Sequence, residues 1–166
     1  MSTNREDVDS LIEDLTFLQD ELEALKYVIS AVPYTERPPG GNSIMDMIAL
    51  IKEQQEQYYR PLVENTLNNK ADKNRQLSPV DDEYQLDEDQ NDIDSLLNKT
   101  IKKRASFINL LGKISTEDWN RDTKAADKQT GIATLIRQQI EFDRKQLKKV
   151  AEHVMALEKT RMPKQQ

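Results

Sequence analysis

Cysteine is absent from the 166 residues, and histidine occurs once, at His153. Those two shortages exclude more chemistry than any motif supplies. Without cysteine there is no disulfide, no thiolate nucleophile and no Cys-ligated zinc or iron–sulfur centre. With a single imidazole, a Ser-His-acid triad has little support, although serines stand at Ser43, Ser95, Ser106 and Ser115. Glycine numbers only 4, and no glycine-rich phosphate loop is present. The longest apolar run, Met47 to Ile51, falls far short of the roughly 20 residues a membrane-spanning helix needs, so no membrane partner is expected. The opening MSTNREDVDS lacks the apolar stretch of a secretion signal, which makes the cytoplasm the expected location.

What is present favours helices. Charged residues make up 33% of the chain and hydrophobic ones 36%, a mixture that suits helices with long polar faces. The net charge of −6 argues against nucleic acid, whose binding relies on Lys and Arg neutralising phosphates. Basic clusters at Lys102-Lys103-Arg104, Arg144-Lys145 and Lys148-Lys149 read as solvated helix faces, since charge alone specifies no groove.

Apolar spacing predicts four long amphipathic helices and no strand-like alternation, hence one all-α bundle with an ordered core over about residues 8–160. In the first helix, Leu11, Leu15, Leu18, Leu22, Leu25, Ile29 and Val32 form one stripe, ended by Pro33. Residues 34–42 form a connector rich in proline and glycine. Ser43 then fits an N-cap, with Asp46 completing a capping box. The second helix carries Ile44, Met47, Ile48, Ile51, Tyr58 and Leu62 inward, and Pro61 predicts a kink or an early end near Tyr58. From Gln76 to Asn98 there are eight acids (Asp81, Asp82, Glu83, Asp87, Glu88, Asp89, Asp92 and Asp94) and no base before Lys99, which reads as a long exposed loop. Its spacing is not that of a calcium loop. A third helix starts near Asn91 or Asp92, and residues 115–119 look like a capped single turn. The last helix begins after Thr130-Gly131 and runs to about Thr160, leaving the closing KQQ as a disordered tail.

Three segments, in this order, resemble the DinB-like (DinB/YfiT-type) superfamily of bacterial four-helix bundles. GGNSIMDMIALIKEQQEQYY is similar to the family's W-S-hydrophobic-x-E-hydrophobic-hydrophobic-x-H segment. LLGKISTEDWNR is similar to the turn before its last helix, and TGIATLIRQQIEFDRKQLKKV to its last-helix pattern H-D-x-x-H-hydrophobic. The resemblance covers roughly residues 10 to 158. It implies a four-helix bundle with long interhelical loops, in which three histidines hold a divalent metal. On this chain those three places fall on Leu50, Phe142 and Gln146. Leucine and phenylalanine offer no lone pair, and a neutral amide is a poor ligand for zinc or nickel. No metal, cofactor or catalytic residue is therefore expected.

The resemblance thus points to a family member without its metal site, in a non-catalytic role of structure or small-ligand binding. A ligand pocket would be lined by Leu50, Gln139, Phe142 and Gln146, with Trp119 and Tyr84 at its rim; packing of the turn is the simpler role for Trp119. The alternative is a metal-independent transferase or hydrolase, nearest to thiol transfer, drawing on Asp143, Glu53 or a bound water. Asp143 otherwise reads as a helix-face ion pair with Lys52 or with neighbours of Arg144. A third reading is a partner-binding module, and the first-helix stripe would also suit a homodimer, although the monomer's own core is its simpler destination.

Overall fold

The structure, a computed structural model, describes residues 2–87, 92–125 and 128–161. It is mostly helical: α1 (Arg5–Leu25), α2 (Ile44–Gln54), α3 (Arg60–Leu67), α4 (Ile93–Lys113), α5 (Thr116–Trp119) and α6 (Ile132–Arg161), with one hairpin of β1 (Asp122–Ala125) and β2 (Lys128–Gly131). On one side of the core α1 packs against α4 and α6; on the other, α2 packs against the same two. Consecutive helices α1 and α2 thus lie across the core from one another, which the connector over residues 26–43 makes feasible. The expected start of the third helix at Asn91, the acids Glu88 and Asp89, and the KQQ tail lie outside the described residues.

Helices α1, α2, α4 and α5 start where a side chain satisfies free N–H groups. Asn4 and Asp7 form a reciprocal capping box at α1, and Ser43 and Asp46 do so at α2. Asp92 caps α4 and Ser115 caps α5. The stripe of α1 faces the monomer's own core: Leu11, Leu15, Leu18 and Leu22 are all buried.

The helix does not reach Val32, however. After Leu25 the N–H groups of Lys26, Tyr27 and Val28 turn to carbonyls three residues back, and a 3-10 helix follows at Ile29–Ala31. The β-branched Val28-Ile29 pair and the approaching Pro33 weaken the α-helix there, while Ile29 and Val32 stay buried. Nor does Pro61 end or sharply break its helix. A π turn at Gln55–Tyr59 joins α2 to α3, and Arg60 N–H donates five residues back to Gln55 O. Such a widened turn is a common way for a helix to absorb a ring that would otherwise strike the carbonyl four residues before it.

The hairpin went unforeseen. Its strands have four residues each and lack any apolar alternation; Thr123 opposite Thr130 is its one β-branched pair. It packs on α3 and on a 3-10 helix at Ala71–Gln76. Asn69 ends α3 in the left-handed region (φ 58°), where Lys70 N–H reaches Asn65 O at 2.7 Å and Asn69 N–H reaches Thr66 O at 3.2 Å.

The acidic stretch is not simply a free loop. Gln54 clamps Val80 twice, donating to its carbonyl at 2.7 Å and accepting from its N–H at 2.8 Å. Asn42 donates to Asp82 O at 3.2 Å. Asp46, buried at the start of α2, gathers the rest. Its carboxylate accepts from Arg37 Nε at 2.7 Å and Nη2 at 3.0 Å, from Ser43 N–H at 2.9 Å and from Leu86 N–H at 3.0 Å. Burial pushes this carboxyl up, but the Arg37 pair, the two N–H groups and the Ser43 hydroxyl outweigh it and hold the pKa at about 2, below the ordinary 3.8.

A folded pKa below the unfolded one adds stability that is present above the unfolded value and lost as pH falls through the folded one. Asp46→Asn should therefore cost about 2 kcal/mol or more at neutral pH. In urea denaturation the gap from the unaltered protein should stay constant above about pH 5 and narrow as pH falls through 4 toward 2. A gap of unchanged size near pH 2 would contradict this role for Asp46.

Candidate functional site at the π turn

Apolar stripes on α4 and α6 are each interrupted at mid-length by polar side chains, and the interruptions meet. On α4, Arg104 stands between Ile101 and Phe107 at helical spacing; it is 1% exposed. On α6, Gln139 and Asp143 lie four apart and both face inward, at 1% exposure each. The π turn brings Gln55 to the same level from the third side.

These four side chains bond to one another. Arg104 Nη2 donates to Asp143 Oδ2 in a fully buried ion pair. Arg104 Nε donates to Gln55 Oε1 at 2.7 Å, and Gln139 Nε2 donates to the same oxygen at 3.1 Å. Three helical segments are thereby cross-linked through one amide. Arg104 Nη1, Gln139 Oε1 and Asp143 Oδ1 are buried without a hydrogen-bond partner among the described residues. Burial pushes the Asp143 carboxyl up from the usual range; the charge and hydrogen bond of Arg104 oppose the rise without cancelling it. Tyr59, on the same turn, is raised too, first by burial and then by the negative charge of Asp143, so its phenol keeps its proton near neutral pH.

Two expectations are corrected here. Arg104 does not belong to a solvated basic face: Lys102 and Lys103 are exposed, but the third base of the run turns into the core. Asp143 does not pair with Lys52 or near Arg144. Lys52 bonds Glu53 at 2.9 Å, and Arg144, one position on and facing outward, reaches Asp14 at 3.4 Å. The overlooked signal was a base at a core position of the α4 stripe together with a run from Ile140 to Leu147 whose inward places are polar.

The expected pocket residues are distributed as follows. Leu50, Gln139, Gln146 and Trp119 are buried, and Phe142 is half-buried against the core. Gln139 joins the polar cluster. Trp119 is 0% exposed and donates its indole N–H to Leu111 O at 3.3 Å, which is the packing role. Tyr84 is half-buried on the loop that crosses α2. None of these six lines either of two surface grooves along α1 and α6.

The donor set does not fit a transition metal. Among the described residues no group of three His, Cys, Asp or Glu side chains is placed to hold an ion. The one buried carboxylate among these side chains is already matched by a guanidinium. Chemically, the cluster offers fixed dipoles and a self-neutralised charge pair.

No protein-family model matches the chain, and no curated protein and no solved structure matches it either.

Gln55→Leu removes the shared oxygen and leaves Arg104 Nε and Gln139 Nε2 unpaired in the core. Each such loss costs about 1–3 kcal/mol, and urea denaturation should show a total of about 2–5 kcal/mol. Gln57→Leu, two positions on and exposed, should change stability by no more than about 0.5 kcal/mol. Equal effects at the two positions would remove the special role given to Gln55.

Proposed function

We propose that this chain is a DinB-like four-helix bundle in which an internal ion pair has taken over from a metal centre, and that it serves a non-catalytic role, structural before ligand-binding. The observation that carries this reading is the Arg104–Asp143 pair held by Gln55 and Gln139 at mid-core. In a bundle whose centre holds a cation, the ion neutralises inward-facing acceptors. Here a side chain supplies the positive charge, and it arrives with its own counter-charge. Support for the bundle type comes from the packing of α1 and α2 each between α4 and α6, and from the capped start of α2 at Ser43.

At the three places where the resemblance puts histidines, Leu50 and Phe142 have no donor atom and Gln146 is a buried amide. Leu50, Gln139, Gln146 and Trp119 are packed as core, which favours a structural role over a ligand pocket at those residues. A metal-independent transferase or hydrolase would need Asp143 or Glu53 free to act. Asp143 is sealed against Arg104, and Glu53 is engaged by Lys52 and by the Gln57 amide. Among the described residues no helix is long and apolar enough to cross a membrane. A cysteine-free, acid-rich chain of this kind suits the bacterial cytoplasm.

The proposal is tested by restoring the ligands. Phe142→His with Gln146→His puts two imidazoles four apart on one helix, a pair that binds nickel or zinc weakly on any helix. Adding Leu50→His should raise nickel affinity in calorimetry by roughly tenfold or more, equivalent to about 1.4 kcal/mol, because a third ligand converges from α2. The unaltered protein should purify without stoichiometric transition metal, and chelator should leave its melting temperature unchanged. A stoichiometric metal in the unaltered protein would refute the exchange, and a silent Leu50→His would refute the DinB-like arrangement.

A further inference from the structure

Three polar atoms at the centre of the bundle are left over after the side chains there have bonded one another. They are Arg104 Nη1, a donor, and Gln139 Oε1 and Asp143 Oδ1, both acceptors. Each sits on a side chain that is buried, and each belongs to a group already tied to the others: Arg104 bonds Asp143 and Gln55, and Gln139 bonds Gln55. Gln139 and Asp143 stand one turn apart on α6, so their free oxygens leave the same helix face. An unpartnered buried polar atom is costly, and three around one ion pair point to something that serves all of them.

The side chains do not remove the mismatch by rearranging. A guanidinium is a planar fork, and with Nε and Nη2 both engaged, Nη1 cannot swing to a new acceptor without breaking one of those bonds. The Gln55 oxygen already accepts twice, which uses both of its lone pairs. Turning the Gln139 amide over would set its oxygen against the Gln55 oxygen. A proton on Asp143 Oδ1 would serve the two free oxygens but would leave the Arg104 charge alone in the core. Ile101 and Phe107, which flank Arg104 along the α4 stripe, have no polar side-chain atom to offer.

The three atoms call for a partner that accepts one hydrogen bond and donates two. An anion would face two oxygens, and a cation would face the guanidinium. An alcohol has a single proton to give. Water fits the count, and internal waters typically make about three hydrogen bonds to buried polar groups. Neither surface groove is lined by Arg104, Gln139, Asp143 or Gln55, so the demand arises in the core and not at an opening.

We propose that Arg104 Nη1, Gln139 Oε1 and Asp143 Oδ1 together bind one internal water molecule, which joins α4 to α6 a second time. Nη1 donates to the water oxygen, and the two water protons go to Oε1 and Oδ1. The site takes a solvent molecule in place of an organic ligand. It rests on the geometry of the cluster and stands whether or not the chain is DinB-like.

A high-resolution crystal structure of the full chain tests it. One ordered water should lie within about 2.7–3.2 Å of all three atoms. In solution, rotating-frame Overhauser spectra should show a contact between water and the Arg104 Nη1 protons, with the sign of dipolar transfer and not of chemical exchange. The water should be gone from the double variant Arg104→Met, Asp143→Leu, where one of its three partners remains. Nη1 bonded directly to either oxygen would overturn the proposal, as would a crystal without water at these atoms or Nη1 protons without a water contact. A water that stays in place in the double variant would overturn it too. Should that variant fail to fold, the crystal and spectra of the unaltered protein decide alone.

Discussion

The buried pair of Arg104 and Asp143 is the constraint that the centre of this molecule is arranged around. Removing a guanidinium and a carboxylate from water costs several kcal/mol for each ion, and their attraction offsets that only with good geometry and added hydrogen bonds. Gln55 provides the first of those bonds, to Arg104 Nε, and Gln139 holds Gln55 in place from α6. The arrangement needs three segments at one level. Hence α4, α6 and the π turn are fixed relative to one another by polar contacts as well as by packing. Among the described residues Arg104 Nη1, Gln139 Oε1 and Asp143 Oδ1 have no hydrogen-bond partner, so the bonds of the cluster do not use all of its polar atoms.

The π turn links this centre to the chain's local chemistry. Pro61 has no N–H to give and its ring crowds the carbonyl four residues earlier, so an ordinary helix would kink or stop there. Widening the helix over Gln55–Tyr59 absorbs the ring, and both Gln55 and Tyr59 end up buried on that turn. One residue before that turn, Gln54 faces the crossing loop and clamps Val80. Two adjacent glutamines thus serve opposite sides of one helix. At the start of the same helix, Asp46 ties Arg37 and Leu86 to the capping box. The segment from Ser43 to Leu67 is therefore the axis to which both long connectors are fastened.

Much of this was legible in the sequence. The apolar stripes placed four long helices, Ser43 with Asp46 and Ser115 marked two starts, and Thr130-Gly131 marked the start of α6. What escaped had physical causes. Arg104 sits in a run of three bases, and charge counting hides that only its position, three after Ile101 and three before Phe107, belongs to the core stripe. Asp143, read from the sequence as a helix-face ion pair with Lys52 or with neighbours of Arg144, lies beside the outward-facing Arg144 in sequence, yet adjacent residues on a helix face different ways. The hairpin at Asp122–Gly131 has too few apolar residues to show a period of two. The early end of α1 follows from backbone geometry near Val28 and Ile29, while the buried Ile29 still continues the apolar pattern. The polar centre leaves a readable trace in the sequence, namely polar side chains at core positions of both α4 and α6.

The most direct measurement is a double-mutant cycle across the central pair, with Arg104→Met and Asp143→Leu made singly and together and stability read from urea unfolding. Each single change leaves a buried charge alone and should cost about 3–5 kcal/mol, whereas the double variant should lie closer to the unaltered protein than either, with a coupling of about 2 kcal/mol or more. Losses that simply add would show that the two residues act independently, and the account of this core as built on their pairing would be wrong.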